Sequence, residues 1–280
     1  MIALIDLDFA LYTSVHKIVS ISEMKRAIAL HGKEQAKNWL LEEVYNEGIN
    51  RVKKQIVEIM QHLDDVMFEE VNQRELFITT CTKSFRKEIA PSYKANRKRN
   101  NYVWLLRSHY MINDAKYSDT LEADDLVAIR ARELGPKECI VVSPDKDLKQ
   151  IGGFYWSYYK QKSKDICGDE IINEFGYAET EFKQKEPIFI TSKEADLFFW
   201  IQMLMGDYED GISGIVKISA IEKKKILKDT GIKIACSIGE VTAKKILAGK
   251  HNLFISTARE YIIRGQKNLF WINYKLLKLG

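Results

Sequence analysis

Three carboxylates in four residues, Glu122-Ala123-Asp124-Asp125, run straight into an apolar stretch of helical character, Leu126-Val127-Ala128-Ile129. Such a cluster is costly without compensation, because each charge disfavours ionisation of the others. The fold must therefore place it where something offsets it. One answer is a helix start: Asp119 or Thr120 as the cap, Glu122 three residues beyond Asp119, and acid favourable in the first turn. The other is a divalent cation such as Mg2+, which takes oxygen ligands from a few carboxylates and keeps waters for a substrate. The stretch alone does not separate the two.

Further acid at the ends of apolar runs shifts the balance. Ile2 to Ile5 is a short buried-strand candidate that ends in Asp6 and Asp8, and Glu138 to Ser143 is a second one that ends in Asp145 and Asp147. Leu76 to Thr80 and Phe154 to Tyr159 read as two more strands. Between them lie helical patterns. Ile49, Val52, Ile56, Ile59 and Leu63 recur at three- and four-residue steps and make one apolar face. Tyr102 to Ile112, Glu122 to Leu134 and Lys193 to Met205 are helical as well, and the lysine-rich remainder to Gly280 is mostly so. Residues 160–190 form a polar insertion with a short helix expected at Gly168 to Phe175.

Strands alternating with helices predict an α/β fold whose mainly parallel sheet is covered on both faces. Ligands in such folds bind beyond the carboxyl ends of the strands. Asp6 and Asp145 would meet at that edge, with the acidic helix start facing the same cleft. Asp207 and Asp210 follow the helix ending at Met205 and share a face if helical geometry continues through them. His16, His31, His62, His109 and His251 have no ligand-like spacing. An all-carboxylate set suits Mg2+ or Mn2+ and not zinc.

The 280 residues, 46% hydrophobic and 29% charged, describe a globular chain, and no apolar run is long enough to span a bilayer. The N-terminus lacks the basic region of a signal peptide. Cys81, Cys139, Cys167 and Cys236 are too scattered for a metal pair or a disulfide framework, which points to a reducing cytoplasm. The net charge of +4 is mild, but basic residues concentrate between Ser84 and Asn101. Arg86, Lys87, Lys94, Arg97, Lys98 and Arg99 can contact phosphates there, and Tyr93 or Tyr102 can stack on an unpaired base. A solvated basic loop is the plainer reading of the same segment.

Five motifs, in order, carry a resemblance to a known family: Ile5-Asp6-Leu7-Asp8; Phe85-Arg86-Lys87-Glu88 with Pro91, Tyr93-Lys94 and Asn96-Arg97; Leu121 to Asp125; Val142 to Asp147; and Met205-Gly206-Asp207 with Asp210. Together they resemble the 5′→3′ exonuclease and flap endonuclease family, above all its bacteriophage members. The resemblance implies a three-layer PIN-like nuclease domain over residues 1–192, with a basic gateway at 84–101. A helical DNA-binding subdomain would follow at 193–280, with a helix-turn-helix-like element near 206–228. It implies one metal centred on Asp6, Glu122, Asp124 and Asp125, and a second on Asp145, Asp147, Asp207 and Asp210. Both ions would be Mg2+, with Mn2+ as a substitute, and Asp124 and Asp145 would be central to catalysis. Lys94 and Arg97 would meet the scissile phosphate, and Lys217, Lys223, Lys224 and Lys225, with Lys244 and Lys245, would hold duplex. The implied partners are DNA with a free 5′ end or flap, an RNA–DNA hybrid, and replication proteins, with no membrane. The implied location is the cytoplasm, that of an infected bacterium if the chain is phage-encoded.

Two departures stand out. Thr80-Cys81 occupies the place of a further family Asp. The turn after Asp210, expected to carry K+ and grip duplex backbone, keeps Gly211 and Gly214 but loses the later glycines. Two other readings remain: a haloacid-dehalogenase-like phosphatase, in which Asp6-Leu7-Asp8 would be the nucleophile motif, and a non-catalytic nucleic-acid-binding protein of the same fold.

Overall fold

The structure, a computed structural model, describes residues 1–97, 100–164, 170–172 and 179–280. In chain order the elements are β1 (Ile2–Asp6), α1 (Asp8–Ile18), α2 (Ile21–Val66), β2 (Gln73–Phe77), α3 (Phe85–Ile89), α4 (Asn101–Asn113), β3 (Ala115–Lys116), α5 (Ala123–Leu134), β4 (Cys139–Val142), β5 (Gly153–Trp156), β6 (Lys160–Lys162), β7 (Thr180–Phe182), β8 (Ile188–Ile190), α6 (Ser192–Met205), β9 (Gly206–Asp207), β10 (Ile212–Ser213), α7 (Ala220–Thr230), α8 (Glu240–Leu247), α9 (Leu253–Ile263) and α10 (Lys267–Leu277). They group into two compact units: residues 1–81 with 99–190 and 280, and residues 82–98 with 191–279. The first part of the basic segment, assigned from sequence to the nuclease domain, thus falls with the C-terminal helices. No helix among the described residues is long and apolar enough to cross a membrane.

The first unit is built on a sheet of order β3-β2-β1-β4-β5-β8, parallel throughout except at β8. This is the expected α/β arrangement. Its central strands are buried on both faces, as parallel strands require. Ala3, Ile5, Ile140 and Val142 pack with the apolar faces of α1, α2 and α4, including Val52, Ile56, Ile59 and Leu63. Leu4 and Val141 alternate to the opposite face, and α5 packs against β1, β2 and β4. The long α2 is broken at Gly32, whose φ of 74° and ψ of 163° are non-helical.

Strand boundaries differ from the sequence reading at two places. β2 ends at Phe77, not Thr80, because its partner β1 ends opposite at Asp6. Beyond it Thr79 and Thr80 turn to the loop before α5: the Thr80 hydroxyl donates to Ser118 O, and the Thr79 hydroxyl accepts from Ala123 N. β5 ends at Trp156, so the aromatic strand stops three residues early. In the insertion, β6 and β7 form an antiparallel pair. The helix expected at Gly168 to Phe175 falls largely outside the described residues.

The second unit has its own core, in which Phe199, Trp200, Met203, Leu204, Tyr261, Phe270 and Leu276 pack together. Tyr261 and Phe270, late in the chain, therefore serve packing. α6 opens with a capping box between Thr191 and Glu194 and stops at Gly206, whose φ is 77°. Residues 206–213 depart from the sequence reading: they form a β9–β10 hairpin, not a continuing helix. The hairpin is closed tightly at its open end. A Cβ on Gly206 would stand 2.1 Å from Gly214 N, and one on Gly214 would stand 2.1 Å from the Met205 carbonyl carbon.

Because these neighbours are backbone atoms that cannot move aside, Gly214→Ala should lower unfolding stability by about 3 kcal/mol. Urea denaturation checks this; an unchanged midpoint would show that the hairpin is not closed in this way.

Candidate functional site

Parallel pairing of β1 with β4 sets Ile5 against Val142, so the next residues, Asp6 and Ser143, are neighbours at the carboxyl edge. The Ser143 hydroxyl donates to Asp6 Oδ2 at 2.8 Å, and the same hydroxyl accepts from Asp145 N at 3.0 Å. Asp6 Oδ1 accepts the Asp8 N–H at 3.0 Å, and Asp6 O accepts from the buried Tyr158 hydroxyl at 2.6 Å. Burial raises the Asp6 pKa to about 7, helped by the neighbouring charges of Asp8 and Asp145 and only partly offset by the two hydrogen bonds to its carboxylate.

The acidic helix start lies in the same unit. Glu122, not Asp119 or Thr120, is its N-cap, and Glu122 and Asp125 form a reciprocal capping box. The capping reading therefore holds with its register moved. Glu122 and Asp125 are buried, Asp124 and Asp147 are half-buried, and Asp145 is exposed. Asp125 Oδ1 also accepts from Gly280 N at 3.3 Å. Asp145 caps a short 3-10 turn, Lys146–Ile151, by accepting from Asp147 N at 2.8 Å. Among the described residues no three His, Cys, Asp or Glu side chains form a grouping that could hold a metal ion.

The remaining expected residues lie in the second unit. Asp207 accepts from the backbone N–H groups of Glu209 and Asp210 inside the hairpin, so the expected shared helical face of Asp207 and Asp210 is replaced by a turn. Asp210 pairs with Lys94 Nζ at 3.4 Å and with Arg97 Nη2, and it accepts from the Tyr93 hydroxyl at 3.2 Å. Lys94 is the one non-glycine residue with positive φ among those described, at 49°, and its N–H donates to Asp210 O at 3.0 Å.

Two expectations for the basic segment are corrected. Arg86 is 1% exposed: its Nε donates to Leu276 O at 2.8 Å and its guanidinium lies 4.7 Å from the Phe85 ring centroid. It fastens α3 to α10 and does not face a phosphate. Tyr93 is 2% exposed and packed into the second unit's core, which rules out stacking on a base. Tyr102 packs beside Trp39 and Leu40. Lys87, Lys217, Lys224 and Lys225 are exposed and Lys223 is half-buried, whereas Lys98 lies outside the described residues. Sequence reasoning did not single out Ser143 as a bridge, although it sits inside a motif. It also missed Arg107, which no motif marks.

No family model matches the sequence. The fold is nevertheless a known one, a PIN-like α/β fold. It is similar to the bacteriophage T5 5′-exonuclease with bound divalent zinc ions, at a TM-score of 0.51 and 14% identity. It is similar also to the bacteriophage T5 flap endonuclease in a pseudo-enzyme–product complex with DNA and metal ions, at a TM-score of 0.50 and 14% identity. In both, the match covers 99% of this chain and 89% of the other. At this identity the likeness is one of fold.

Two measurements check the site. Asp6, with its pKa raised from 3.8 to about 7, contributes stability that is fully present below the unfolded value and lost as pH rises through the folded one. In chelator, Asp6→Asn should therefore gain stability relative to the parent as pH is raised from 5 toward 8, by paired thermal melts; a pH-independent difference would refute the buried, uncompensated acid. Arg86→Ala should cost about 2–3 kcal/mol in urea denaturation, because a buried carbonyl loses its charged donor.

Proposed function

We propose that this chain is a metal-dependent 5′ nuclease. It would hydrolyse phosphodiester bonds in DNA, and in the RNA of RNA–DNA hybrids, from a free 5′ end or at a flap. The observation that carries this reading is the acidic edge of the parallel sheet, where Asp6, Ser143 and Asp145 meet beyond β1 and β4. The fold likeness to the T5 enzymes supports it, and so does their crystallisation with metal ions and, in one case, DNA. It accounts for two features that a phosphatase reading leaves without a role: the acid at Glu122, Asp124 and Asp125, and the basic residues after β2.

Although the described side chains form no ready-made grouping for a metal ion, their donor chemistry suits a hard divalent cation. All the candidate ligands are carboxylates, and Asp6 is a buried one, its pKa raised first by that burial and then by the charges of Asp8 and Asp145. When bound, two Mg2+ ions, or Mn2+ in their place, supply an activated water and stabilise the leaving oxygen of an in-line displacement. Asp6, Glu122, Asp124 and Asp125 would hold the first ion and Asp145 and Asp147 the second, while the Ser143 hydroxyl, bonded to Asp6 Oδ2 and Asp145 N, fixes the angle of Asp6. Asp207 and Asp210 are further ligand candidates on the hairpin of the helical unit. Lys94 and Arg97 are the residues for the scissile phosphate. Lys87, Lys217, Lys224 and Lys225 give the exposed positive charge that a duplex backbone requires. The turn after Asp210 is the place for K+. Replication, recombination or primer removal, of the kind bacteriophages carry out, is the process this activity serves.

The test uses 5′-labelled duplex, flap and hybrid substrates with Mg2+ or chelator. Cleavage should proceed from the 5′ end and stop in chelator. Asp124→Asn and Asp145→Asn should each lower turnover by more than the roughly 10–100-fold typical of outer-shell changes, with DNA affinity far less affected. Release of 3′-terminal nucleotides first, or near-parent rates in both variants, would overturn the assignment; phosphomonoester hydrolysis without nuclease activity would favour the phosphatase.

A further inference from the structure

Arg107, on α4, belongs to none of the motifs, yet it reaches the acidic edge. Its Nη2 donates to Asp8 Oδ1 at 2.8 Å, its guanidinium lies 5.6 Å from the Tyr12 ring centroid, and its side chain is 14% exposed. Asp8 Oδ1 also accepts the Thr79 N–H at 3.2 Å. Two further bonds extend this contact. The Asp8 N–H orients Asp6 Oδ1 at 3.0 Å, and the Thr79 hydroxyl accepts from Ala123 N, the first residue of α5, at 2.9 Å. A continuous path therefore leads from Arg107 through Asp8 to Asp6 and to the start of the acidic helix.

We propose that Arg107 is a positioning residue of the acidic site: as the fixed counter-ion of Asp8, it makes Asp8 a bracket that aims Asp6 and Thr79, and not a further ligand for a cation. The inference rests on the metal-dependent nuclease reading. Its physical basis is that a guanidinium is weakly hydrated and planar, so it pairs with a carboxylate in partial burial where an ammonium would keep its water. An Asp8 without this partner would add a mobile negative charge two residues from Asp6. Such a charge would attract a divalent cation to the wrong oxygen atoms. The position matters more in this chain, because Thr80-Cys81 offers no carboxylate beside Thr79. The main-chain N–H of Thr79 is held by Asp8.

Positioning through charge has a signature that loss of packing lacks. Removing the cation should tighten metal binding while slowing turnover at saturating metal. Mn2+ binding to the DNA-free full chain, followed by isothermal titration calorimetry, gives the first quantity, and single-turnover cleavage gives the second. Arg107→Met should bind Mn2+ about tenfold more tightly, the scale of one nearby charge, and turn over more than about tenfold more slowly. Arg107→Gln removes the charge but can still donate to Asp8, so it should bind as tightly with a smaller loss of turnover. This variant decides the matter if Arg107→Met does not fold. Adding Asp8→Asn to Arg107→Met should return Mn2+ affinity to the parent level. Parent-like Mn2+ affinity in both single variants, or a double variant that still binds tightly, would overturn the proposal while leaving the nuclease reading intact. A parent protein that takes up no Mn2+ would instead overturn the nuclease reading, and this inference with it.

Discussion

The pairing of β1 with β4 is the contact on which the acidic site depends. Two strands from distant parts of the first unit's chain run parallel and in register, and both end at the same level. Any shift of register by one residue would turn Asp6 into the opposite face of the sheet, since side chains alternate strictly along a strand. The apolar residues enforce the register: Ala3 and Ile5 have to face the helices α1, α2 and α4, and this leaves Asp6 at the edge, bonded to Ser143. Burying a carboxylate there opposes stability, as its raised pKa shows. The hydrophobic core holds it in place.

Much of this was legible in the sequence because it is periodic. The apolar face from Ile49 to Leu63 and the short runs ending in Asp6 and in Ser143 follow the helix and strand repeats, and each lies where the pattern puts it. What failed is what depends on non-local partners. The residues up to Thr80 favour a strand, but a strand lasts only as long as its neighbour, and β1 stops opposite Phe77. The spacing of Asp207 and Asp210 after α6 suits a shared helical face, but they lie in the β9–β10 hairpin. Gly206 ends that helix and lets Gly214 come close, which composition alone does not reveal.

The basic segment shows the same limit in its charges. Arg86, Lys87, Lys94 and Arg97 look alike in sequence, and all suit phosphate contact. Three-dimensional neighbours separate them. Arg86 is drawn inward by carbonyls at the end of α10, Lys87 stays in solvent, and Lys94 and Arg97 converge on one carboxylate, Asp210. That convergence ties the turn around Lys94 to the hairpin carrying Asp207 and Asp210. The residues proposed for phosphate contact and two of the proposed ligands are therefore built as one body within the helical unit. The charge at Asp210 and the orientation of Lys94 and Arg97 cannot change independently.

The acidic stretch that opens α5 began with two explanations, helix capping and cation binding, and the geometry removes the conflict between them. In the capping box the Asp125 Oδ2 atom accepts the Glu122 N–H, and the Glu122 side chain accepts one backbone N–H in return. Asp125 Oδ1 in addition accepts the Gly280 N–H, and an ionised carboxylate offers about four lone-pair directions, so a carboxylate in a capping box can serve more than one partner at once. Capping also fixes both side chains in a single orientation, which lowers the entropy lost when a second partner binds. Asp124, one residue along, has no place in the box and projects from the helix at a different angle. One cap and one reciprocal acid complete the box, and to helix capping Asp124 adds only the favourable charge of a first-turn acid. Its substitution, which leaves the box intact, separates the two roles most cleanly.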